Sequence, residues 1–383
     1  MFQEQTRPVE SSNRKHKLKI AKACEDQGTP QATELEQMKI PDFIWVEKKH
    51  SLLYCAIPKV ASTFWRRTVT IMGSNENVNS PFESKKTDLR NFGNLKRDIN
   101  EKSVDDFLKN ASSFLFVRDP YGRLFSGYEH KLYNPNLSFW KNYGMRIAKT
   151  VRQNPSNESL RYGHDITFAE FVKYILFQKD NHYRINRHFT PMYQKCDPCR
   201  VPYDYIGHLE TFRQDAEYLF GLWRRKFTDF HIHFNDFEKE TVLDTAGSLI
   251  NRLFNSYNKL KPDFKYPFYN LVLRVWSDLQ IRGYLSKDIP LPFTKGDVDT
   301  LTAENMLKAV SDALETKVNL TAVKLQRRES LQQAYSTVPL EDMERLHEYV
   351  LKDCQLFGYN DRPKLLYERG QLLESNHLYL AGL

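Results

Sequence analysis

The fold is decided by residues 52–72, which read LLYCAIPKVASTFWRRTVTIM. The short apolar run Ser51–Ile57 is typical of a buried strand. Pro58 ends this run, and a helical pattern begins at Thr63 after a polar turn. A strand, a turn and a helix in this order form the repeating unit of a parallel α/β sheet.

The same unit occurs again in residues 113–128, SFLFVRDPYGRLFSGY. Here Ser113–Val117 is the expected strand, and the following helix begins after a break at Arg118-Asp119-Pro120. A third short strand is expected at 205–210, with a helix from about residue 213 to 225. The sequence therefore predicts an α/β fold whose ligands bind at the carboxyl ends of the strands.

Other segments carry weaker signals. Residues 1–40 are polar and charged, so we expect a flexible lead-in. Thr167 and Glu170 match a capping box at the start of a helix. A last helix is expected between Pro339 and Gly358.

The composition is that of a globular protein, since 40% of the 383 residues are apolar and 27% are charged. No window approaches the roughly 18 consecutive apolar residues of a membrane-spanning helix, and the first residues have no apolar run, so neither a spanning helix nor a signal peptide is expected. The net charge of +8 suits either an ordinary basic enzyme or an anionic partner. Basic residues lie beside apolar segments, which favours a pocket over a nucleic-acid-binding arm.

The five cysteines are too few for a disulfide scaffold. The close pair is Cys196 and Cys199, separated by Asp-Pro. A zinc site would need a second pair of ligands, and a thioredoxin-like redox pair would need a preceding strand and a following helix. We therefore expect a local Cys196–Cys199 disulfide.

The first turn has the composition of an anion site. Lys59 lies between strand and helix, Ala61 and Ser62 are small, and the hydroxyls of Ser62 and Thr63 lie at a helix N-terminus, which favours anions. Arg66 adds positive charge one turn later. The turn lacks the glycines of a nucleoside-triphosphate loop. The alternative is an ordinary helix cap with a solvent-facing lysine.

The second turn offers a guanidinium at a strand end. Arg118 can bind a phosphate through two hydrogen bonds. Ser126 lies on the following helix and Arg123 between them. The alternative is a local salt bridge between Arg118 and Asp119.

Together, residues 58–67 and 118–128 resemble the 5′-phosphosulfate and 3′-phosphate loops of Golgi carbohydrate sulfotransferases. The chondroitin 4-sulfotransferase and HNK-1 sulfotransferase group is the most similar. Further similar segments are 138–144, 165–171, 188–189, 196–199, 203–211 and 353–359. The resemblance implies a sulfotransferase domain at 41–362 with a divergent insertion at about 226–335, followed by a tail at 363–383.

By this resemblance the fold is a P-loop-kinase-like parallel sheet flanked by helices, in a single large domain with insertions. The sulfate donor is 3′-phosphoadenosine 5′-phosphosulfate, and no metal is needed. The acceptor is a carbohydrate hydroxyl, on a chondroitin- or dermatan-type glycosaminoglycan or a related glycan. The implied donor-binding residues are Lys59, Val60, Ala61, Ser62, Thr63, Arg66, Arg118, Arg123 and Ser126.

Two catalytic roles follow from the same resemblance. Lys59 is expected to stabilise or protonate the leaving oxygen of the donor. The acceptor hydroxyl needs a general base, for which we choose His188 because histidine titrates near neutral pH. Glu210 and His130 are the rivals.

The resemblance also places the protein on the lumenal side of the Golgi apparatus, where relatives are typically held by an N-terminal transmembrane helix; this chain shows none. Sequons at Asn110, Asn136, Asn157 and Asn319 are candidate glycosylation sites. Two other functions stay open: a sulfotransferase with a non-carbohydrate acceptor, and a non-catalytic glycan- or nucleotide-binding homologue. A nucleic-acid partner is not expected.

Overall fold

A computed structural model describes residues 2–26, 43–74, 78–84, 93–94, 110–260, 265–369 and 377–380. The chain forms two compact units, each built from segments distant in sequence. The first comprises Met1–Arg123, Asn186–Phe237 and Glu348–Asp361, and the second Leu124–Ile185, Glu238–His347 and Arg362–Leu383. The sequence-based division of the chain at residues 40 and 362, with an insertion at about 226–335, stays a prediction. The two compact units have different boundaries.

The first unit contains a five-stranded sheet with the order β3-β1-β2-β4-β5. Strands β2, β4 and β5 are parallel, whereas β1 is antiparallel to both β2 and β3. The three predicted strands and the predicted α/β class are confirmed; the antiparallel hairpin that β1 forms with β2 was not expected. The strands are β1 Ile44–Glu47, β2 Leu52–Cys55, β3 Gly93–Asn94, β4 Ser112–Val117 and β5 Tyr205–His208.

Helices cover this sheet and bury its apolar strands. Trp65 is fully buried and contacts the rings of Phe114 and Phe116 on β4. Gly207 on β5 is required by close packing, since a Cβ there would lie 2.3 Å from the Phe116 ring. The helices of this unit are Phe2–Asp26, Ser62–Gly73, Tyr193–Cys196 and Phe212–Lys226, with a 3₁₀ turn at Leu209–Thr211.

The N-terminal segment is not a flexible lead-in where the structure describes it, so that prediction is wrong for residues 2–26, which form a helix. The Asn13 side chain donates to the Asp204 carbonyl and accepts the Ile206 N–H, each at 3.0 Å, so it pairs with the end strand of the sheet. Ile20 is buried. Residues 27–40 lie outside the described ranges.

The expected Cys196–Cys199 disulfide is also wrong. Cys24 pairs with Cys199 and Cys55 with Cys196, with Cα–Cα distances of 5.6 and 5.9 Å. Asp197 is left-handed (φ 39°) directly after the short helix that Cys196 ends, so the chain turns between the two cysteines. Cys196 is fully buried beside β2, while Cys199 is half-buried against the N-terminal helix.

The second unit is helical where it is described. The predicted capping box is confirmed, because Thr167 and Glu170 exchange side-chain and backbone hydrogen bonds at the start of Phe168–Asp180. The last long helix, Leu340–Phe357, ends before Gly358 as expected. The remaining α-helices are Pro120–Tyr128, Leu137–Phe139, Met145–Val151, Asn157–Tyr162, Phe237–Leu260, Phe268–Ile281, Ala303–Leu314, Leu320–Ser336 and Lys364–Tyr367, with π turns at Glu129–Tyr133 and Trp140–Gly144. Among the described helices, none is both long and apolar enough to cross a membrane.

The disulfide pairing is testable by peptide mapping without reduction, which should recover one peptide pair joining Cys24 to Cys199 and another joining Cys55 to Cys196. Replacing Cys24 and Cys199 by serine should lower the free energy of unfolding by about 2–5 kcal/mol, because the bridge closes a long loop of the denatured chain. Cys354→Ala keeps both bridges and should leave the N-terminal helix resistant to protease. A peptide with Cys196 bonded to Cys199 would contradict the pairing.

Candidate active site

Three polar turns leave the sheet at one edge because the parallel strands end together. Cys55 on β2 lies opposite Leu115 on β4, and Val117 on β4 lies opposite His208 on β5. The turns that follow carry Lys59, Arg118 and Glu210 respectively. The carboxyl ends of parallel strands are where α/β proteins bind ligands, so this edge is the candidate site.

The first two turns are in direct contact. The Arg118 guanidinium donates through Nη1 to the carbonyl oxygen of Lys59 at 3.4 Å. Arg118 is half-buried at the end of β4. Its guanidinium therefore lies beside the first turn.

The backbone of the first turn is strained. Lys59 and Ala61 both have left-handed backbone angles, with φ of 74° and 58°, although neither is glycine. Such conformations cost about 1–3 kcal/mol each and occur preferentially at functional sites. Val60 between them is fully buried and fastens the turn to the core.

The strained turn leads into a helix with an open N-terminus. Ala61 occupies the cap position, and its methyl side chain makes no cap hydrogen bond. The main-chain N–H groups at the start of this helix therefore point out of its N-terminal end, where the helix dipole favours an anion. Ser62 is half-buried and Thr63 exposed at this point. Their role in binding an anion stays a prediction.

Arg66 lies one turn further along the helix and is half-buried. Burial raises the pKa of Tyr54 on β2, and the positive charge of Arg66 acts against this rise. The guanidinium is therefore close to the buried phenol behind the turn. Its role as a donor ligand stays a prediction.

Arg123 occupies a different position from the one expected of a donor ligand. It is 2% exposed. Its Nε donates to the carbonyl of Pro58 at 3.1 Å, and its Nη1 donates to that of Thr190 at 2.9 Å. Burial lowers the pKa of Arg123, and the nearby Asp353 opposes this effect. Arg123 is therefore a buried tie between the first turn and the segment that carries His188.

Asp353 completes this buried support and was not recognised from the sequence as a site residue. Its carboxylate accepts the N–H groups of Met192 and Tyr193 at 2.7 and 2.8 Å. Burial raises its pKa to about 6, against the stabilising effect of these hydrogen bonds and of Arg123. The available signal was its place at the start of the segment 353–359, which the family resemblance includes.

The second turn is held by its own carboxylate. Asp119 accepts the Gly122 N–H at 2.6 Å through Oδ1, so it caps the Pro120–Tyr128 helix. Its main-chain N–H donates to Oε1 of Glu210 at 2.9 Å. Burial raises the pKa of Asp119, and the nearby Glu210 adds to that rise. Ser126, on the same helix, is buried and belongs to the second unit, and its phosphate-binding role stays a prediction.

His188 is held in one tautomer by its neighbour. Its Nδ1 lies 2.7 Å from Oδ1 of Asn186, and its main-chain N–H donates to the same oxygen at 3.1 Å. An amide oxygen only accepts, so Nδ1 carries the proton and Nε2 has the lone pair that a general base needs. Asn186 is thus an orienting residue that the sequence pattern did not identify.

The two rival bases have other partners. His130, in the second unit, pairs with the Arg252 guanidinium at 2.7 Å. Both carboxylate oxygens of Glu210 already accept hydrogen bonds, from Asp119 and from the hydroxyl of Tyr359. The choice of His188 over these two residues as the base stays a prediction.

The candidate glycosylation sites differ in exposure. Asn110, Asn157 and Asn319 are exposed, whereas Asn136 is half-buried. Asn136 and Asn319 cap helices through Oδ1, which leaves the Nδ2 atom to which a glycan would attach outside the cap. Modification at all four stays a prediction. Within the described ranges, no group of three or more His, Cys, Asp or Glu residues is placed to hold a metal ion.

Comparison with known proteins relates this site to a family. The model of the sulfotransferase family matches residues 42–246, more than half of the 383 residues. Carbohydrate sulfotransferase 11 of Rattus norvegicus is 36% identical over 185 residues, which are 46% of this chain and 51% of that protein. Carbohydrate sulfotransferase 11 of Danio rerio is 32% identical over 231 residues (59% and 64%), and carbohydrate sulfotransferase 14 of Danio rerio is 30% identical over 205 residues (52% and 54%). The match thus spans about half to two thirds of these relatives, and no solved structure matches this chain.

The buried tie made by Arg123 can be tested by Arg123→Met, which keeps an apolar stem but removes both hydrogen bonds. Two carbonyls lose their charged donor, so we expect the free energy of unfolding in urea to fall by about 2–4 kcal/mol. The matched control is Arg213→Met, which removes an exposed ion pair with Glu217 and should cost below about 1 kcal/mol. Equal stability of the two variants would show that Arg123 is not a structural tie.

Proposed function

Because the chain belongs to the sulfotransferase family, we propose that it transfers a sulfuryl group from 3′-phosphoadenosine 5′-phosphosulfate to a carbohydrate hydroxyl. We further propose a chondroitin- or dermatan-type glycosaminoglycan, or a related glycan, as the acceptor. The observation that carries the proposal is the contact between Arg118 and the Lys59 turn, which joins two anion-binding elements at one edge of the sheet.

The residues of the first unit fit such a donor. The uncapped helix start at Ser62 and Thr63 suits the 5′-phosphate, because its main-chain N–H groups and dipole both favour an anion. Arg118 suits the 3′-phosphate, since a planar guanidinium binds phosphate oxygens in pairs. A guanidinium in contact with the turn that leads into a helix start suits a nucleotide with a phosphate at each end.

When bound, the donor supplies a sulfuryl group whose bond to the bridging oxygen breaks as a bond to the acceptor oxygen forms. Lys59 would hydrogen-bond the bridging oxygen and stabilise the negative charge that the leaving adenosine bisphosphate acquires. The left-handed backbone of Lys59 holds this residue in the turn before any ligand arrives, so little reorganisation is needed.

His188 would take the proton of the acceptor hydroxyl. Its Nδ1–H is fixed on Asn186, which leaves Nε2 to accept that proton. The resulting imidazolium would then donate from both nitrogens, and the Asn186 oxygen stabilises it. This chain thus has a candidate group for the leaving oxygen, Lys59, and another for the acceptor hydroxyl, His188.

The choice of a glycan acceptor has two supports. The relatives described above are carbohydrate sulfotransferases. A net charge of +8 suits a polyanionic glycan, because it raises the local concentration of such a substrate. The Golgi lumen, proposed by resemblance, is consistent with two disulfides, since such bonds persist in oxidising compartments.

The donor assignment predicts distinct effects for its two cations. Lys59→Ala should abolish transfer while leaving the fold intact, because the leaving oxygen loses its stabilising charge. Arg118→Ala should raise the dissociation constant of the donor by about 10- to 100-fold, as expected for one charged hydrogen-bonding group. Calorimetric donor binding and transfer of labelled sulfate measure the two effects, with the exposed Lys49→Ala as a control.

The acceptor is tested with labelled donor and a panel of desulfated glycosaminoglycans. Incorporation into chondroitin or dermatan supports the proposed acceptor. Incorporation into heparan alone would overturn the acceptor class, and donor binding with no glycan labelled would favour a non-carbohydrate acceptor or a non-catalytic protein. Full activity of Lys59→Ala would remove Lys59 from the chemistry.

The base assignment predicts a histidine-dependent pH profile. His188→Ala should lower kcat by about 10²- to 10⁴-fold, the usual contribution of general-base catalysis, with unchanged donor affinity. Because the base must be neutral to accept a proton, kcat/KM of the unaltered protein should fall on acidification, and the variant should lose that dependence. The exposed His231→Ala is the matched control. A variant at 188 that keeps both the rate and the pH profile would exclude the role.

A further inference from the structure

The third turn of the edge, after β5, contains a hydrogen-bond network that no catalytic role explains. Glu210 accepts the Asp119 N–H through Oε1 and the Tyr359 hydroxyl through Oε2, both at 2.9 Å. The same hydroxyl lies 2.8 Å from Nδ1 of His208. All these residues belong to the first unit.

The chemistry of the groups fixes the direction of each hydrogen bond. A phenol has one proton, and Tyr359 donates it to the carboxylate of Glu210. The contact with His208 must then be donated by the imidazole Nδ1–H. Burial raises the pKa of Tyr359, and burial together with His16 and Lys19 lowers that of His208 to about 3, so both stay neutral at ordinary pH.

His208 is itself held from two sides. Its main-chain N–H donates to Asp215 at 2.9 Å, and its ring lies against that of His16, with 4.0 Å between ring centres. His16 belongs to the N-terminal helix, which Asn13 attaches to β5. His208 is therefore held in place, and the hydrogen bonds from it through Tyr359 and Glu210 connect it to Asp119 in the second turn.

The contact with Asp119 bears directly on Arg118. The N–H that Glu210 accepts belongs to the planar peptide group between Arg118 and Asp119. Fixing that plane restricts the main-chain rotation at Arg118, and so the direction in which its side chain leaves the backbone. Glu210 thus acts on the geometry of Arg118 through the main chain.

We propose that Glu210 and Tyr359 are positioning residues that hold Arg118 for the 3′-phosphate, and that the preference for a 3′-phosphorylated nucleotide depends on them. The inference rests on the proposed function, because it assigns the partner of Arg118 to that phosphate. It separates Glu210 from catalysis: the carboxylate acts through the second turn and touches neither donor nor acceptor.

The test measures a ratio of affinities. Adenosine 3′,5′-bisphosphate and adenosine 5′-monophosphate differ by the 3′-phosphate alone, so the ratio of their dissociation constants reports the contribution of that group. Glu210→Ala and Tyr359→Phe should each reduce the preference for the bisphosphate about tenfold, as for loss of one charged hydrogen bond, and change the affinity for the monophosphate less than twofold. Isothermal titration calorimetry of the full chain gives both constants.

Three further variants distinguish positioning from general damage. Glu210→Gln should recover part of the preference, because its amide oxygen can still accept the Asp119 N–H. Tyr203→Phe removes another buried phenol hydrogen bond, to the Cys196 carbonyl at 2.8 Å, and should leave the ratio unchanged. Adding Glu210→Ala to Arg118→Ala should reduce the ratio no further, since two residues that act through one contact are not additive.

The possible results distinguish failure of this inference from failure of the proposed function on which it rests. The positioning role alone is overturned if the unaltered protein prefers the bisphosphate and the variants keep that preference. It is also overturned if the variants lose affinity for the bisphosphate and the monophosphate by the same factor. Additive effects of Arg118→Ala and Glu210→Ala overturn it as well. An unaltered protein that binds neither nucleotide overturns the proposed function, and the inference with it.

Discussion

The candidate site depends on the parallel register of β2, β4 and β5. Because β4 and β5 end level with each other and β2 ends two residues earlier, three chain reversals leave the sheet at one edge. A slip of one residue would turn the strands' buried side chains to the opposite faces, so the packing of the core enforces the register. The contacts between the turns, from Arg118 to Lys59 and from Glu210 to Asp119, follow from that alignment.

The sequence predicted those parts of the fold that local patterns specify. The parallel strands appear as short uninterrupted apolar runs because successive residues of these strands are buried. The capping box at Thr167 is visible because both its partners lie within one turn. The left-handed angles of Lys59 and Ala61 were not predicted, since glycine is the usual sign of such a backbone and this turn contains none.

The N-terminal helix and the disulfides show where local patterns stop being informative. Asn13 attaches the helix to β5 through one side-chain amide, and Cys24 attaches it to a cysteine 175 residues away. Neither feature produces an apolar stripe. The pair Cys196 and Cys199 suggested a local bond by proximity, but the left-handed residue between them turns the chain, and each cysteine bonds to a different element.

Two arginines five residues apart show why the roles within the site needed a structure. Arg118 and Arg123 both donate to carbonyls of the first turn, those of Lys59 and Pro58. That turn has left the sheet, so its carbonyls have no strand partners, and long side chains from the neighbouring segment serve instead. Arg123 is enclosed, and a buried charge is tolerated only with fixed hydrogen bonds, which hold the turn in one geometry. Arg118 lies at the half-buried edge, where its guanidinium can also meet a ligand. The same type of residue thus serves as a buried support at position 123 and is proposed to bind the donor at position 118, and the difference in burial is what distinguishes the two.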